Sequence, residues 1–364
     1  MSNATPGLSS ATPEGTISYA ARSGYPPEHF RVAQGLTVSS IGLGTYLGGA
    51  DDESDQDYIE AITLALKSGV NVLDTAINYR MQRSERCIGA ALAGFNREEV
   101  FISTKAGFLT PDGDMPANPR AYLEEEYFSR GIMKRDEVAG GMHCMAPRFL
   151  EDQINRSRRN LGVDTIDLFY LHNPETQPPM VGAAVFAQRL LDAFELLEAK
   201  VQEGAIRWYG AATWNGFRVP STAADHLPLE MLYSMALEAG GEDHHFRFIQ
   251  LPLNLAMPEA LTASTQLFQD KEVSLLGVAS ALGITVMASG SLRQAGLVSG
   301  LPPKIGEAFP GLSTDAQRAI QFTRSTPGVT TALVGMGQAA HVRENLALAK
   351  VAPAPRKQFM KLFE

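Results

Sequence analysis

Four titratable side chains close short apolar runs in this sequence. Asp74 and Tyr79 lie five residues apart in LDTAINYR, Lys105 lies near the end of ISTKAG, and His172 with Asn173 lies within FYLHNPE. A lysine buried at the end of an apolar strand is unfavourable unless a carboxylate pairs with it, and Asp74, one strand away, is at the right level to do so. An ammonium held near a phenol would favour the phenolate and lower the Tyr79 pKa from its usual value of about 10. A tyrosine tuned in that way donates a proton to a developing alkoxide near neutral pH. A neutral His172 can hydrogen-bond the same oxygen and orient a carbonyl. Taken singly, each has a bland reading: Tyr79 as packing, His172 as a satisfied core histidine, Asp74 as a loop cap, Lys105 as a snorkelling surface residue. Four complementary groups on three successive strands read better as one proton-transfer site.

The elements that must position them alternate from about residue 36 onward. The apolar runs are Ser40–Thr45, Asn71–Ala76, Val100–Ala106, Thr165–Asn173, Ile206–Thr213, Phe248–Asn254, Ile284–Ser289 and Thr331–Gly335. They are near-continuous rather than alternating, as parallel strands covered on both faces are. Between them lie helical patterns. Phe186, Leu190, Phe194, Leu197 and Val201 form one stripe that Gly204 ends, and Leu150, Ile154 and Leu161 form another that Gly162 ends. Eight such units predict an α/β fold, a (β/α)8 TIM barrel, with a single barrel domain over 31–364 and a flexible tail over 1–30. Gly107–Pro147 is a long loop insertion after strand 3, read as a functional loop. Leu227–His245 reads as a second insertion.

Composition narrows the class. The chain has 364 residues, 45% hydrophobic and 20% charged, and no apolar run long enough to span a bilayer. The start, MSNATPGLSSATPEGT, has no basic segment followed by an apolar one, so no secretory signal is read. Cys87 and Cys144 are far apart, which fits a reducing, cytoplasmic setting. A net charge of -9 argues against nucleic acid as the partner. Arg156, Arg158 and Arg159 read as a solvated helix face. His143, Cys144, His244 and His245 have no metal-ligand spacing, so no metal is predicted.

The runs GLGTYLGG, GVNVLDTAINYRMQRSERCIGAAL, FISTKAG, LGVDTIDLFYLHNPE and ALVGMGQAAHVRENLALA resemble the landmarks of the aldo-keto reductase family, in family order across about residues 36–350. The resemblance implies an NAD(P)H-dependent oxidoreductase that moves a hydride between the cofactor and an aldehyde, ketone or alcohol. Tyr79 would be its general acid/base, Lys105 and Asp74 would tune it, and His172 would orient the carbonyl. NADP(H), with NAD(H) second, would lie in an extended pose against Gly44, Thr45, Asp74, Thr213, Gln250, Ser289, Gly335, Met336, Gly337, His341, Glu344 and Asn345. Tyr46, Asn173 and Trp214 would wall a pocket for a small-molecule substrate. The run Gly335-x-Gly337-x-x-Ala340 matches a dinucleotide fingerprint, but too little chain follows it for a Rossmann half-domain. Glycines after the last strand and the next helix N-terminus would instead form a phosphate-binding corner.

The chain departs from the family pattern at several contacts. Ala212 and Thr213 stand where Ser-Asn is common, Ser289 where an aromatic often stacks on the nicotinamide, Gly335 and Met336 where Lys and Ser are frequent, and His341 where Arg is usual. Two other functional classes therefore stay open at this stage. One is a low-turnover cofactor-sensing or partner-binding subunit; the other is redox-neutral proton transfer at the same site.

Overall fold

The computed structural model describes residues 10–364. Its strands are β1 (Phe30–Ala33), β2 (Leu36–Ser39), β3 (Ile41–Gly44), β4 (Val72–Asp74), β5 (Phe101–Ala106), β6 (Ile166–His172), β7 (Ile206–Ala212), β8 (Phe246–Pro252), β9 (Gln266–Phe268), β10 (Lys271–Val273), β11 (Thr285–Ser289) and β12 (Val329–Gly335). Eight of them close a barrel in the order β11-β12-β3-β4-β5-β6-β7-β8, and every neighbouring pair is parallel. These are the eight runs read from the sequence, their ends differing by at most two residues.

The continuous apolar character of the runs has a two-sided cause. Val72, Phe101, Leu168, Tyr170, Phe248 and Leu333 pack together inside the barrel, while Leu73, Ile102, Phe169, Leu171, Ile249 and Val334 pack outward into the helix layer. Alternate residues thus face two different cores. The antiparallel hairpin β1–β2 adds Ala33, Leu36 and Val38 to the interior cluster. It plugs the N-terminal end of the barrel and leaves the C-terminal rim open.

The expected flexible tail is corrected from Ser10 onward; residues 1–9 lie outside the described part. Pro13–Arg22 is a helix capped by the Thr12 side chain, and the Ala11 N–H donates to Asp167 Oδ1 at 2.7 Å. Tyr19 is buried and its hydroxyl donates to the carbonyls of Leu66 and Val70. The small, polar composition hid an amphipathic turn that needs the barrel's underside to fold against.

The supposed second insertion is also corrected. Leu229–Gly240 is the helix that follows β7, packed beside the helix Ala183–Gln202. The genuine insertion, between β5 and the helix Pro147–Leu161, is held by short bridges between Phe108 and His143 and between Ala139 and His143. It buries Arg156, which ion-pairs with Glu126 of the insertion and with Asp152, so that side chain is no solvated face. Among the described residues, no helix is long and apolar enough to cross a membrane.

Candidate active site

The C-terminal strand ends open into a cleft of about 1190 Å³, larger than the roughly 300–1,000 Å³ that houses a drug-sized ligand. It has room for a dinucleotide with a small molecule beside it. Asp74 ends β4, Lys105 lies one residue before the end of β5, and His172 ends β6, so the parallel register carries all three to one rim. Tyr79 follows β4 on a loop whose next three residues, Arg80, Met81 and Gln82, all have positive φ. Buried Arg80 secures that loop, donating to Gly49 O at 2.6 Å and pairing with Asp55.

At the floor of the cleft, Lys105 is fully buried and its Nζ donates to Asp74 Oδ2 and to the Thr75 carbonyl, each at 2.7 Å. The other Asp74 oxygen, Oδ1, accepts from Ser103 Oγ at 2.7 Å and from Gln250 Nε2 at 2.8 Å. The carboxylate is thus paired and hydrogen-bonded on both oxygens, as burial of a charge demands. The Tyr79 ring packs edge-to-face on Tyr46 at 5.0 Å and on His172 at 5.8 Å between centroids. His172 Nδ1 lies 3.1 Å from Asn78 Oδ1. Burial, with the Lys105 charge and His143 adding to it, pushes the His172 pKa well down, so its imidazole is neutral.

The expected lowering of the Tyr79 pKa is not what the structure holds. Burial, then the Asp74 carboxylate and Tyr46, push the phenol well above its ordinary value. Lys105 Nζ sits over the ring, 5.0 Å from its centroid, and its hydrogen bonds go to Asp74 and Thr75. Pairing with Asp74, which made a buried lysine tolerable, also neutralises the charge that was to act on the phenol. Tyr79 therefore carries its proton throughout the neutral range and suits the role of donor.

Sixteen of the residues singled out from the sequence line the cleft: Tyr79, Asp74 and His172, the substrate-wall residues Tyr46, Asn173 and Trp214, and the cofactor set Gly44, Thr45, Thr213, Gln250, Ser289, Gly335, Gly337, His341, Glu344 and Asn345. Two do not. Lys105 acts from beneath the floor. Met336 is fully buried in the helix-layer core, because it alternates with Gly335 and Gly337, which face the cleft. Its place in a cofactor set is corrected accordingly. His143 lies at this rim, bridged to Phe108, whereas His244 and His245 precede β8 at the opposite end. Among the described residues no group of three His, Cys, Asp or Glu could hold a metal.

Three features bear on whether a nicotinamide dinucleotide fits. Thr213 Oγ1 is buried at the cleft wall with no hydrogen-bond partner among the described residues, as a group awaiting a ligand would be. The helix Ala339–Leu346 begins at Gln338 without a side-chain cap, so its first-turn amides lack intrahelical acceptors and favour an anion. Besides His172, the basic side chains among the described cleft-lining residues are exposed Arg293 and His341. Sequence reading missed Arg293, Asn78 and Phe108. Asn78 precedes Tyr79 directly and Arg293 follows the seventh barrel strand by four residues, so proximity was the available signal.

The profile of the aldo/keto reductase family matches residues 40–236, more than half of the chain. The chain belongs to the aldo/keto reductase family. It is similar to the NADH-specific methylglyoxal reductase of Escherichia coli, 28% identical over 182 residues, a match spanning 49% of either chain. It is also similar to the uncharacterized oxidoreductase YqkF of Bacillus subtilis, 23% identical over 324 residues, 86% of this chain and 88% of that one. The fold matches an aldo/keto reductase from Klebsiella pneumoniae solved with NADP and acetate, with a TM-score of 0.62 and 21% identity, covering 93% and 96% of the two chains. As an aldo/keto reductase, the chain is an NAD(P)(H)-dependent oxidoreductase.

Proposed function

We propose that this aldo/keto reductase reduces an aldehyde or ketone, or oxidises the matching alcohol, with Tyr79 as the general acid/base. The observation that carries the reading is the paired floor, in which Lys105 and Asp74 are locked together beneath a protonated Tyr79 and a neutral His172. NADP(H) is the first choice of cofactor, since the Klebsiella pneumoniae relative was solved with it, and NAD(H) the second, since the Escherichia coli relative is NADH-specific. Gly335, Gly337, the amides at Ala339–His341 and Arg293 would hold the pyrophosphate. Thr213, Gln250 and Ser289 would flank the nicotinamide. When bound, the nicotinamide supplies or takes up the hydride.

The chain's own residues do the rest. The Tyr79 hydroxyl gives its proton to the carbonyl oxygen as negative charge develops there. Lys105 and Asp74 form a pre-set polar floor that needs no reorganisation when that charge appears. His172 sets the direction of the substrate oxygen. As placed, Asn78 Oδ1 accepts from Nδ1, which leaves Nε2 bare to accept from an alcohol. A half-turn of the amide brings its NH2 to Nδ1, moves the imidazole proton to Nε2 and lets it donate to a carbonyl. Tyr46, Trp214 and Phe108 line the cleft and would wall the substrate beside the reacting pair.

Fluorescence titration with NADPH and NADH, followed by turnover on a panel of aldehydes and ketones, tests this reading. Saturable binding of at least one cofactor and its oxidation by a carbonyl are expected. Tight binding without turnover on any carbonyl would overturn it in favour of a cofactor-sensing subunit.

A further inference from the structure

The insertion after β5 reaches the catalytic end of the barrel through one side chain. β5 pairs with β6 as far as Ala106 and Leu171, then turns away at Gly107, so the next β6 carbonyl, that of His172, has no strand neighbour on that side. His143 of the insertion takes that place, its Nε2 lying 2.7 Å from the His172 oxygen. Gly107 is what lets it in. A Cβ there would stand 2.6 Å from His143 Nε2 and 2.7 Å from the His172 oxygen.

The direction of this contact is decided two residues away. Arg189 Nη1 donates to Gln177 Oε1 at 2.9 Å, which turns the Gln177 amide nitrogen toward His143 Nδ1, 3.0 Å off. A donor at that position requires Nδ1 to be bare, so the imidazole proton sits on Nε2 and is donated to the His172 carbonyl. His143 is fully buried, and burial pushes its pKa down to about 4, which keeps this neutral tautomer in place. Arg189 also donates to the carbonyls of Asp136 and Glu137, so the same residue ties down the insertion. Phe108, bridged to His143, sets its ring edge-to-face against both imidazoles, 5.1 Å from His143 and 5.2 Å from His172, and lines the cleft.

We propose that His143 is a positioning residue for His172, the middle of a one-way relay from Arg189 through Gln177 to the end of β6, which makes the insertion a working wall of the active site. The proposal rests on the reading that His172 orients the substrate oxygen. It acts through geometry: the relay holds the His172 backbone and, with Phe108, the angle at which the imidazole faces the cleft.

The test uses the full chain, with nitrogen-15 histidine spectra and steady-state kinetics of the parent, His143→Phe and His143→Gln. In the parent, His143 should show a bare Nδ1 and a protonated Nε2. His143→Phe should shift the His172 ring signals and lower kcat by about 10- to 100-fold, with cofactor affinity within about twofold of the parent. Glutamine places a donor near the Nε2 position, so His143→Gln should recover most of the lost kcat. A proton on Nδ1, parental kcat in His143→Phe, or equal losses in both variants would overturn the relay. Should His143→Phe fail to fold, Gln177→Met removes the donor that sets the tautomer, and the same signs apply. A parent that turns over no carbonyl would count against the proposed activity alone. The relay would then be decided by the His172 signals, and their remaining unchanged in His143→Phe would overturn it.

Discussion

At the floor of the cleft the protein supplies its own partners. Lys105 gives two hydrogen bonds, to Asp74 and Thr75, and the Asp74 carboxylate accepts three, from Lys105, Ser103 and Gln250. At the corner beyond β12 the described residues leave partners missing: an uncapped helix start at Gln338, and along the wall an unpaired Thr213 hydroxyl and an exposed Arg293. One end is finished without a ligand, while the other, on the proposed function, would be finished by one. A pre-paired floor keeps charges at fixed distances from the reacting atoms and costs no reorganisation during the step. An open corner of backbone amides and glycines gains binding energy from an anion without committing to one base or sugar. Damage at the floor should therefore appear in turnover, and damage at the corner in affinity.

The largest effect separating the two ends is expected from Tyr79→Phe. It keeps the ring and removes the proton, so kcat should fall by about 10²- to 10⁴-fold while fluorescence titration shows cofactor affinity close to the parent's. An equal loss in affinity would blur the division. Lys105→Met should also reduce turnover steeply, and it leaves Asp74 buried without its ion partner. A loss of about 3–5 kcal/mol in chemical denaturation is expected, with the double change Lys105→Met and Asp74→Asn recovering part of the stability but not the rate.

The pH profile gives a smaller and more specific effect. The Tyr79 pKa is raised, so the proton-bearing form persists below that raised value and is lost only above it. The reductive kcat should stay level from neutral pH through about 10, the ordinary tyrosine value, and the oxidative kcat should climb over the same range. A reductive limb that falls below that point, and vanishes in Tyr79→Phe, would show a lowered pKa instead. The smallest effect is at the corner. Arg293→Ala should weaken cofactor binding by up to about fivefold at low salt, less at high salt, with kcat unchanged.

The barrel was legible because its strands face two apolar cores, which leaves continuous runs such as FYLH and ALVG that few other folds produce. The floor was legible because Asp74, Lys105 and His172 are polar residues closing those runs. What escaped has a common physical origin in contacts between segments distant in the chain. The helix at Pro13–Arg22 is specified by Asp167, Leu66 and Val70. Arg156 is covered by an insertion whose path no periodicity reveals. Met336 was assigned to the cleft by the family resemblance, although the strand's alternation turns it into the core. The direction of the Tyr79 shift failed for a related reason, since it depends on whether Lys105 faces the hydroxyl or the ring. His143 was weighed from sequence only as a metal ligand, because its contact with the His172 carbonyl joins segments distant in the chain.

The central claim is that Tyr79 delivers the proton that accompanies hydride transfer above the Lys105–Asp74 floor. Single-turnover reduction of a carbonyl with cofactor deuterated at nicotinamide C4, run in parallel on the parent and on Tyr79→Phe, tests it most directly. Stoichiometric deuterium on the product carbinol carbon in the parent, with the rate of its appearance falling by about 10²-fold or more in Tyr79→Phe, is the predicted result. Product without the label, or a labelled product formed as fast by Tyr79→Phe as by the parent, would contradict it.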